Sequence, residues 1–268
     1  MASVIKNRKP AFMYPWVKRT LFIGPLIGPI HVAYGAAALV VSLGDSILIR
    51  SGRLDIDCHS LLIPPGQPVS IDAKSEVIAI CHLDVLSEDF RRLYGSVTSV
   101  VNALGIGLLD EADYRRAFFD LYLQPADSNS VYQKLEALVI YGGRHKAVQL
   151  GPVDARIVET VNHIKARVQE NIHIKELASL VNLSTPRLME LFKLQTGVAI
   201  RKFRLWHRLY ASMIPISGGA SLTDAALSVG FSDSPHFSHA FSSIWGVKPS
   251  RIFGGGIGAE IRVSKDLS

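Results

Sequence analysis

Residues 221–249 read SLTDAALSVGFSDSPHFSHAFSSIWGVKP, and their spacing predicts helix, tight turn, helix. Leu222, Ala225, Ala226 and Val229 give the first helix an apolar face at helical period. Gly230 stops it, because glycine takes a left-handed backbone without strain. Phe231 plugs the corner, Ser232 is the expected cap of the next helix, and Asp233 lies at that helix's positive end. Phe237, Phe241, Ile244 and Trp245 then form a second apolar stripe. Ser234, Pro235, Ser238, His239 and Ser242 fall on the opposite side and are small or polar. A short helix with one apolar face and one hydrogen-bonding face fits a helix-turn-helix, whose second helix enters a DNA major groove.

The same design occurs earlier, in LASLVNLSTPRLMELFKLQTGV, residues 177–198. Ala178, Leu183 and Ser184 precede Ala226, Phe231 and Ser232 by 48 positions, and Phe192, Gly197 and Val198 precede Phe241, Gly246 and Val247 by 49. This is an internal repeat with one inserted residue. Leu188, Leu191 and Phe192 are the expected buried stripe of the first reading helix, with Thr185, Pro186, Met189, Glu190 and Lys193 opposite. Residues 198–214 between the repeats are helical in pattern and basic through Arg201, Lys202, Arg204 and Arg208, and Pro215 with Gly218-Gly219 is expected to end that helix. One such motif is weak evidence, since any two packed helices produce it; two in tandem around a basic helix are far more specific.

On these residues, segment 152–252 resembles the AraC/XylS family of transcription regulators, most specifically in GASLTDAALSVGFSDSPHFSHAFSSIWGVKPS. The resemblance implies a seven-helix domain whose two recognition helices enter adjacent major-groove segments of double-stranded DNA, with RNA polymerase as a further partner. It places base reading on Thr185, Pro186, Met189 and Glu190 in the first repeat, and on Ser234, Pro235, Ser238 and His239 in the second. Glu190 can accept from a cytosine amino group and Met189 can touch a thymine methyl. Arg187, Lys193, Arg201, Lys202, Ser232, Lys248 and Arg251 are the expected phosphate contacts, which set register rather than sequence.

Charge follows the same division. The chain of 268 residues carries a net +6. Residues 152–255 hold 12 Lys+Arg against 7 Asp+Glu, whereas 1–151 hold 15 against 14. The basic surplus sits where phosphate attraction would use it. Two cysteines, Cys58 and Cys81, are no disulfide framework and fit a reducing cytoplasm. Residues 20–44 carry no formal charge, but Gly24-Pro25, Gly28-Pro29 and Gly35 cut them into pieces that read as strands and turns rather than a membrane span.

In the N-terminal half, short apolar runs at 30–34, 37–41, 46–50, 53–56, 59–63, 68–71 and 76–83, separated by turn residues, predict a barrel or jelly roll. PPGQPVSI is similar to a turn of the small cupin barrel that serves as the usual sensor in the resembled family. The His-x-His pair of metal-binding cupins is missing, and Val69 stands where their later His would be. Cys58-His59 and Cys81-His82 remain as an alternative cluster, but neighbours on a strand face opposite sides, so only one of each pair can point inward. Helices are expected at 87–104, capped by Ser87, at 110–123 and at 130–141; any of them could pair with a second copy in a homodimer. Gly142-Gly143 and Gly151-Pro152 flank an expected linker, and residues 154–170 form the first helix of the reader.

The fold class is therefore α+β: a cupin-like sensing or dimerising domain over 1–150, an all-α domain with two helix-turn-helix motifs over 151–253, and a flexible tail over 254–268. The expected function is DNA-binding transcription regulation in the cytoplasm, controlled by a small-molecule effector in the barrel. The alternatives are a barrel that only dimerises, or a cupin-type metalloprotein fused to a DNA reader. No catalytic residue, metal ligand, cofactor or membrane association is expected; GGGIG lacks the strand-helix context of a phosphate loop.

Overall fold

The computed structural model describes residues 10–16, 18–74, 76–84, 86–141, 152–254 and 258–263. The expected linker over 142–151, and residues 255–257 and 264–268 of the expected tail, lie outside the described residues. The strands are β1 (Phe12–Pro15), β2 (Arg19–Pro25), β3 (Ile30–Val32), β4 (Ala37–Ser42), β5 (Ile47–Ser51), β6 (Leu54–Cys58), β7 (Ser60–Ile63), β8 (Val69–Asp72) and β9 (Val77–Leu83). After α1 (Glu88–Tyr94) come β10 (Val97–Val101) and β11 (Leu104–Leu108), then α2 (Glu111–Leu123) and α3 (Ser128–Tyr141). The second half holds α4 (Ala155–Ala166), α5 (Ile174–Leu180), α6 (Thr185–Thr196), α7 (Ile200–Ser217), α8 (Leu222–Ser228), α9 (Ser234–Trp245) and α10 (Pro249–Phe253), with β12 (Glu260–Ile261) last.

Eight strands form one sheet in the order β10-β11-β7-β4-β9-β2-β1-β12, and four form another in the order β3-β8-β5-β6. The central strands of the large sheet are buried on both faces. Their alternation is between two cores rather than between core and water. In β9, Ile78 and Ile80 join the small sheet's Ile49 and Ile71, while Val77, Ala79, Cys81 and Leu83 join Leu93, Phe118 and Leu135 of α1, α2 and α3. A strand buried on both sides reads as apolar throughout. That is why residues 20–44 carry no charge: they form β2, β3 and β4. Among the described residues no helix is long and apolar enough to cross a membrane.

Cys81 and His82 obey the strand period: Cys81 lies in the core under the helices, and His82 points the other way, against Tyr34 and Trp206. Arg19, buried, holds α1 to β2 through a bidentate pair with Asp89, at 2.7 and 3.0 Å.

Several expectations are corrected. The helix expected at 87–104 ends at Tyr94, and a hairpin follows. Val97-Thr98-Ser99-Val100-Val101 is β-branched at four of five positions, which favours strand over helix. Asn102 and Ala103, both with positive φ (49° and 65°), make the tight turn that matches strand twist. Val100 is 50% exposed. Helix α4 stops at Ala166 instead of continuing to 170. Helix α7 runs through Pro215, whose missing N–H costs one bond near the end of the helix, and ends at Gly218. Part of the expected free tail is a strand: β12 pairs in parallel with β1, and Arg262 donates to the Pro125 and Ala126 carbonyls at 3.1 and 3.0 Å.

The seven helices α4 to α10 make up the all-α half. Its first repeat has its own core, with Ile157, Val161, Leu177, Leu188, Phe192 and Phe203. Its second repeat does not: Phe237, Phe241, Ile244 and Trp245 share one core with Trp206 of α7 and the inner face of both sheets. At that seam the Trp206 and Trp245 rings stack at 5.3 Å, and His82 stands against both.

Candidate nucleic-acid interface

The two helix-turn-helix units superpose in sequence and in caps. Helices α5 and α8 have seven residues each and begin 48 positions apart; α6 and α9 have 12 each and begin 49 apart. The inserted residue therefore lies in the second turn. Asn182 and Gly230, the equivalent turn residues, both take a left-handed backbone. The first reading helix is capped by Ser184, which accepts from Arg187 N at 3.4 Å. The second is capped by Asp233, which accepts from His236 N at 2.6 Å. Ser232, the expected cap, is the extra residue, and its hydroxyl donates to Asp233 at 2.9 Å. Pro186 and Pro235 occupy the first turn of each helix, where no N–H bond is lost.

Burial separates the faces as the spacing predicts. Leu188, Leu191 and Phe192 are buried in α6, as are Phe237, Ala240, Phe241, Ile244 and Trp245 in α9. Pro186, Met189, Glu190 and Lys193 are exposed, and so are Pro235 and His239; Thr185, Ser234 and Ser238 are half-buried. Arg187 and Glu190 pair across one helical turn at 2.7 Å, so the Glu190 carboxylate carries a cation beside it. Sequence reasoning missed Leu194, which is 78% exposed one turn beyond Glu190 and extends the same helix. Its signal was legible: it falls off the Leu188-Leu191-Phe192 stripe.

Among the expected phosphate contacts, Arg201, Lys248, Arg251 and Ser232 are exposed. Arg251 also donates to the Ile27 carbonyl at 3.2 Å, tying α10 to the loop between β2 and β3. Lys202 is half-buried, and desolvation holds its pKa below the ordinary lysine value. Arg204 and Arg208 serve the fold, donating to the Ile172, Val168, Glu170 and Gly230 carbonyls that line the loop before α5 and the second turn.

Residues 177–254 match a family described as helix-turn-helix domain. The "Arabinose operon regulatory protein" of Escherichia coli is 29% identical over 106 residues, 39% of this chain and 36% of its own. The "Probable transcriptional regulator LumQ" of Photobacterium leiognathi is 23% identical over 223 residues, 76% of this chain and 86% of its own. The chain is similar to AraC-type transcription regulators. It is a DNA-binding transcription regulator of two parts, a sheet-rich half and a helical half. The crystal structure of ToxT from Vibrio cholerae shares the fold: TM-score 0.55 at 13% identity, covering 88% of this chain and 97% of that one. A second ToxT structure, described as bound to an unsaturated fatty acid, has a TM-score of 0.56 at 15% identity and covers 89% and 96%.

A second feature lies where the sheets of this regulator meet α7. A cavity of about 20 Å³ is lined there by Lys18, Arg19, His82, Asp84, His207 and Tyr210, among others. Arg19 Nη1, both ring nitrogens of His82 and the Tyr210 hydroxyl are buried there without a hydrogen-bond partner. Desolvation lowers the His82 pKa to about 3 and, with help from the Lys165 charge, that of His207 to about 4. Asp84 closes the seam by pairing with Lys165 of α4. No group of three or more His, Cys, Asp or Glu suited to a metal exists among the described residues.

Proposed function

We propose that this regulator acts in the cytoplasm on double-stranded DNA upstream of its target genes, placing α6 and α9 in successive major-groove segments and working with RNA polymerase. The observation that carries the reading is the match of the two units in cap, turn, helix length and exposed face. Helix α7, which joins them, has 18 residues and so a length of about 27 Å, near the ~34 Å repeat of the groove. In this reading Thr185, Pro186, Met189 and Glu190, with Ser234, Pro235, Ser238 and His239, face base edges. Arg187, Lys193, Arg201, Ser232, Lys248 and Arg251 lie toward phosphates, and half-buried Lys202 contributes least. The reading assigns no catalytic step. Selection of bound duplexes from a random-sequence pool tests it: a reproducible preferred sequence, with affinity falling steeply as salt rises, is expected. Recovery of no sequence preference overturns it.

Control by a small molecule belongs to the same proposal. The seam cavity, at about 20 Å³, has room for about one water, so in this reading a ligand enters by parting α7 from the sheets; the unpartnered Arg19, His82 and Tyr210 groups then meet its polar head, and Lys18 suits an anionic one. A structural neighbour described as bound to an unsaturated fatty acid supports a carboxylate with an apolar tail. Oleate should raise the melting temperature and change affinity for the selected duplex, and methyl oleate should do neither. Equal behaviour of the two removes the anionic head from the reading.

A further inference from the structure

Gly197 and Gly246 occupy the same place in the two repeats, at the C-caps of α6 and α9, with φ of 76° and 74°. A left-handed C-cap already favours glycine, but it does not say what lies against it. Each of these two lies against the sheet half of the chain. A Cβ on Gly197 would come within 3.1 Å of the Pro65 carbonyl oxygen, and one on Gly66 within 2.8 Å of the Gly197 oxygen. A Cβ on Gly246 would lie 2.8 Å from Ile30 Cβ and 3.0 Å from Val32 Cγ1, both on β3. Real Cβ atoms essentially never approach within 3.0 Å, so the Gly66 and Gly246 contacts exist only because a Cβ is absent, and the Gly197 contact at 3.1 Å is tight.

Gly35 completes the set. Its φ is not in the left-handed region, so backbone conformation does not require glycine there. A Cβ on it would lie 2.8 Å from Trp206 Cβ and 3.3 Å from the Lys202 oxygen, in the N-terminal half of α7. The Gly66 amide donates to the Tyr34 oxygen at 2.8 Å, so the Pro65–Gly66 turn and Gly35 are one unit. One end of the sheet region thus touches the end of the first recognition helix, the N-terminal half of the joining helix and the end of the second recognition helix.

We propose that this end of the sheet region sets the separation and angle of α6 and α9, and that Gly35, Gly66, Gly197 and Gly246 are positioning residues for recognition of two DNA boxes at a fixed spacing. The proposal rests on the DNA reading above. None of the four glycines touches DNA; they act through the helices they seat. The first repeat carries a core separate from that of the sheets, with Leu86 packed at its margin, so each box can still be read when the seating is loosened. The second repeat shares the barrel's core, so its placement follows the barrel.

The test uses the full chain and the duplex selected from the random pool, remade with one base pair inserted or deleted between its two boxes. One base pair moves the second box by about 3.4 Å and turns it by roughly 35°. The wild type should prefer the selected spacing by about tenfold or more. Gly35→Ala, which wedges α7 from the barrel without backbone strain, should bind single-box duplexes within about twofold of wild type and lose most of that preference. Gly105→Ala is the control, because its Cβ would crowd only Val97 and Leu62 inside the sheet; it should keep the preference. Asp84→Asn removes the charge that pairs with Lys165 of α4 and keeps the acceptor for the Leu86 amide. It should shift the preference in the same direction and decides the matter if Gly35→Ala does not fold. Wild-type spacing preference in both Gly35→Ala and Asp84→Asn overturns the proposal while leaving the DNA reading intact. Failure of the wild type to select any sequence removes both.

Discussion

His82 shows at the scale of one residue how the seam is built. It is 2% exposed, its ring stands 4.6 Å from Tyr34, 4.6 Å from Trp206 and 4.7 Å from Trp245, and neither nitrogen has a partner. Lys18, Arg19, Asp84, His207 and Tyr210 line the cavity beside it. Burial holds its pKa near 3, below the ordinary 6.5. Below pH 6.5 the unfolded chain takes up a proton that the fold refuses. Stability is therefore full above about pH 6.5 and declines toward acid, by about 1.4 kcal/mol per pH unit for this group. His82→Phe keeps the ring contacts and loses no hydrogen bond. Its urea stability should match or exceed wild type at pH 7 and lead it by about 2 kcal/mol at pH 5. Parallel losses in both proteins between pH 7 and pH 5 would show that His82 does not titrate in the unfolding reaction. The sequence marked His82 only as one half of a Cys-His pair: strand period predicted that it and Cys81 would diverge, but its three ring neighbours come from distant segments. The cap of α9 was hidden for a smaller reason. A 48-residue offset on one side and 49 on the other locates an insertion only to the stretch between them, and Ser232 and Asp233 are both good caps.

At the scale of elements, the two reading helices were legible because their apolar stripes, prolines and terminal glycines all agree. The β10–β11 hairpin was not, because Phe90, Leu93, Tyr94, Val97, Val100 and Val101 also fit a helical period; the β-branched run and Asn102 were the deciding chemistry. Phe241, fully buried, stacks on Trp245 at 5.8 Å and meets Phe253 edge-on at 5.7 Å. Phe241→Ala should cost roughly 3–5 kcal/mol, measured by thermal or urea unfolding; an unchanged melt would mean that this face is not core. On the exposed side of α6, base contacts carry sequence information and phosphate contacts do not. Glu190→Ala should change preference at one or two base pairs by about 1–3 kcal/mol and free Arg187 from its ion pair. Arg201→Ala should weaken all sequences alike and flatten the salt slope by about one unit. Duplex selection on both variants checks this; a changed preference for Arg201→Ala with an unchanged one for Glu190→Ala would exchange their roles.

The whole molecule differs from the sequence reading in one respect that matters for function. Composition and turn residues divide the chain near 151, and each half is long enough for a core of its own. Yet the second repeat shares its core with the sheets, because Trp206, Met213, Trp245 and Ile252 lie in one cluster with Ile30, Val32, Val40 and Ile80. No periodicity within either half reveals a contact of this kind; it depends on which apolar face meets which. The consequence can be measured on residues 152–254 expressed alone. Both reading helices and the basic surplus are there, so the fragment should bind DNA, with affinity falling steeply as salt rises. Its two repeats should part company, however. The first, closed around Ile157, Leu188 and Phe192, should give slow amide hydrogen exchange in α4 to α6. The second, with Trp206 and Trp245 uncovered, should exchange faster in α8 and α9 than it does in the full chain, since local opening follows lost apolar burial. Tryptophan emission should shift to the red relative to the full chain for the same reason. Equal protection of α8 and α9 in fragment and full chain would mean that the second repeat needs nothing from the barrel, and the seam would then be a resting place rather than a support.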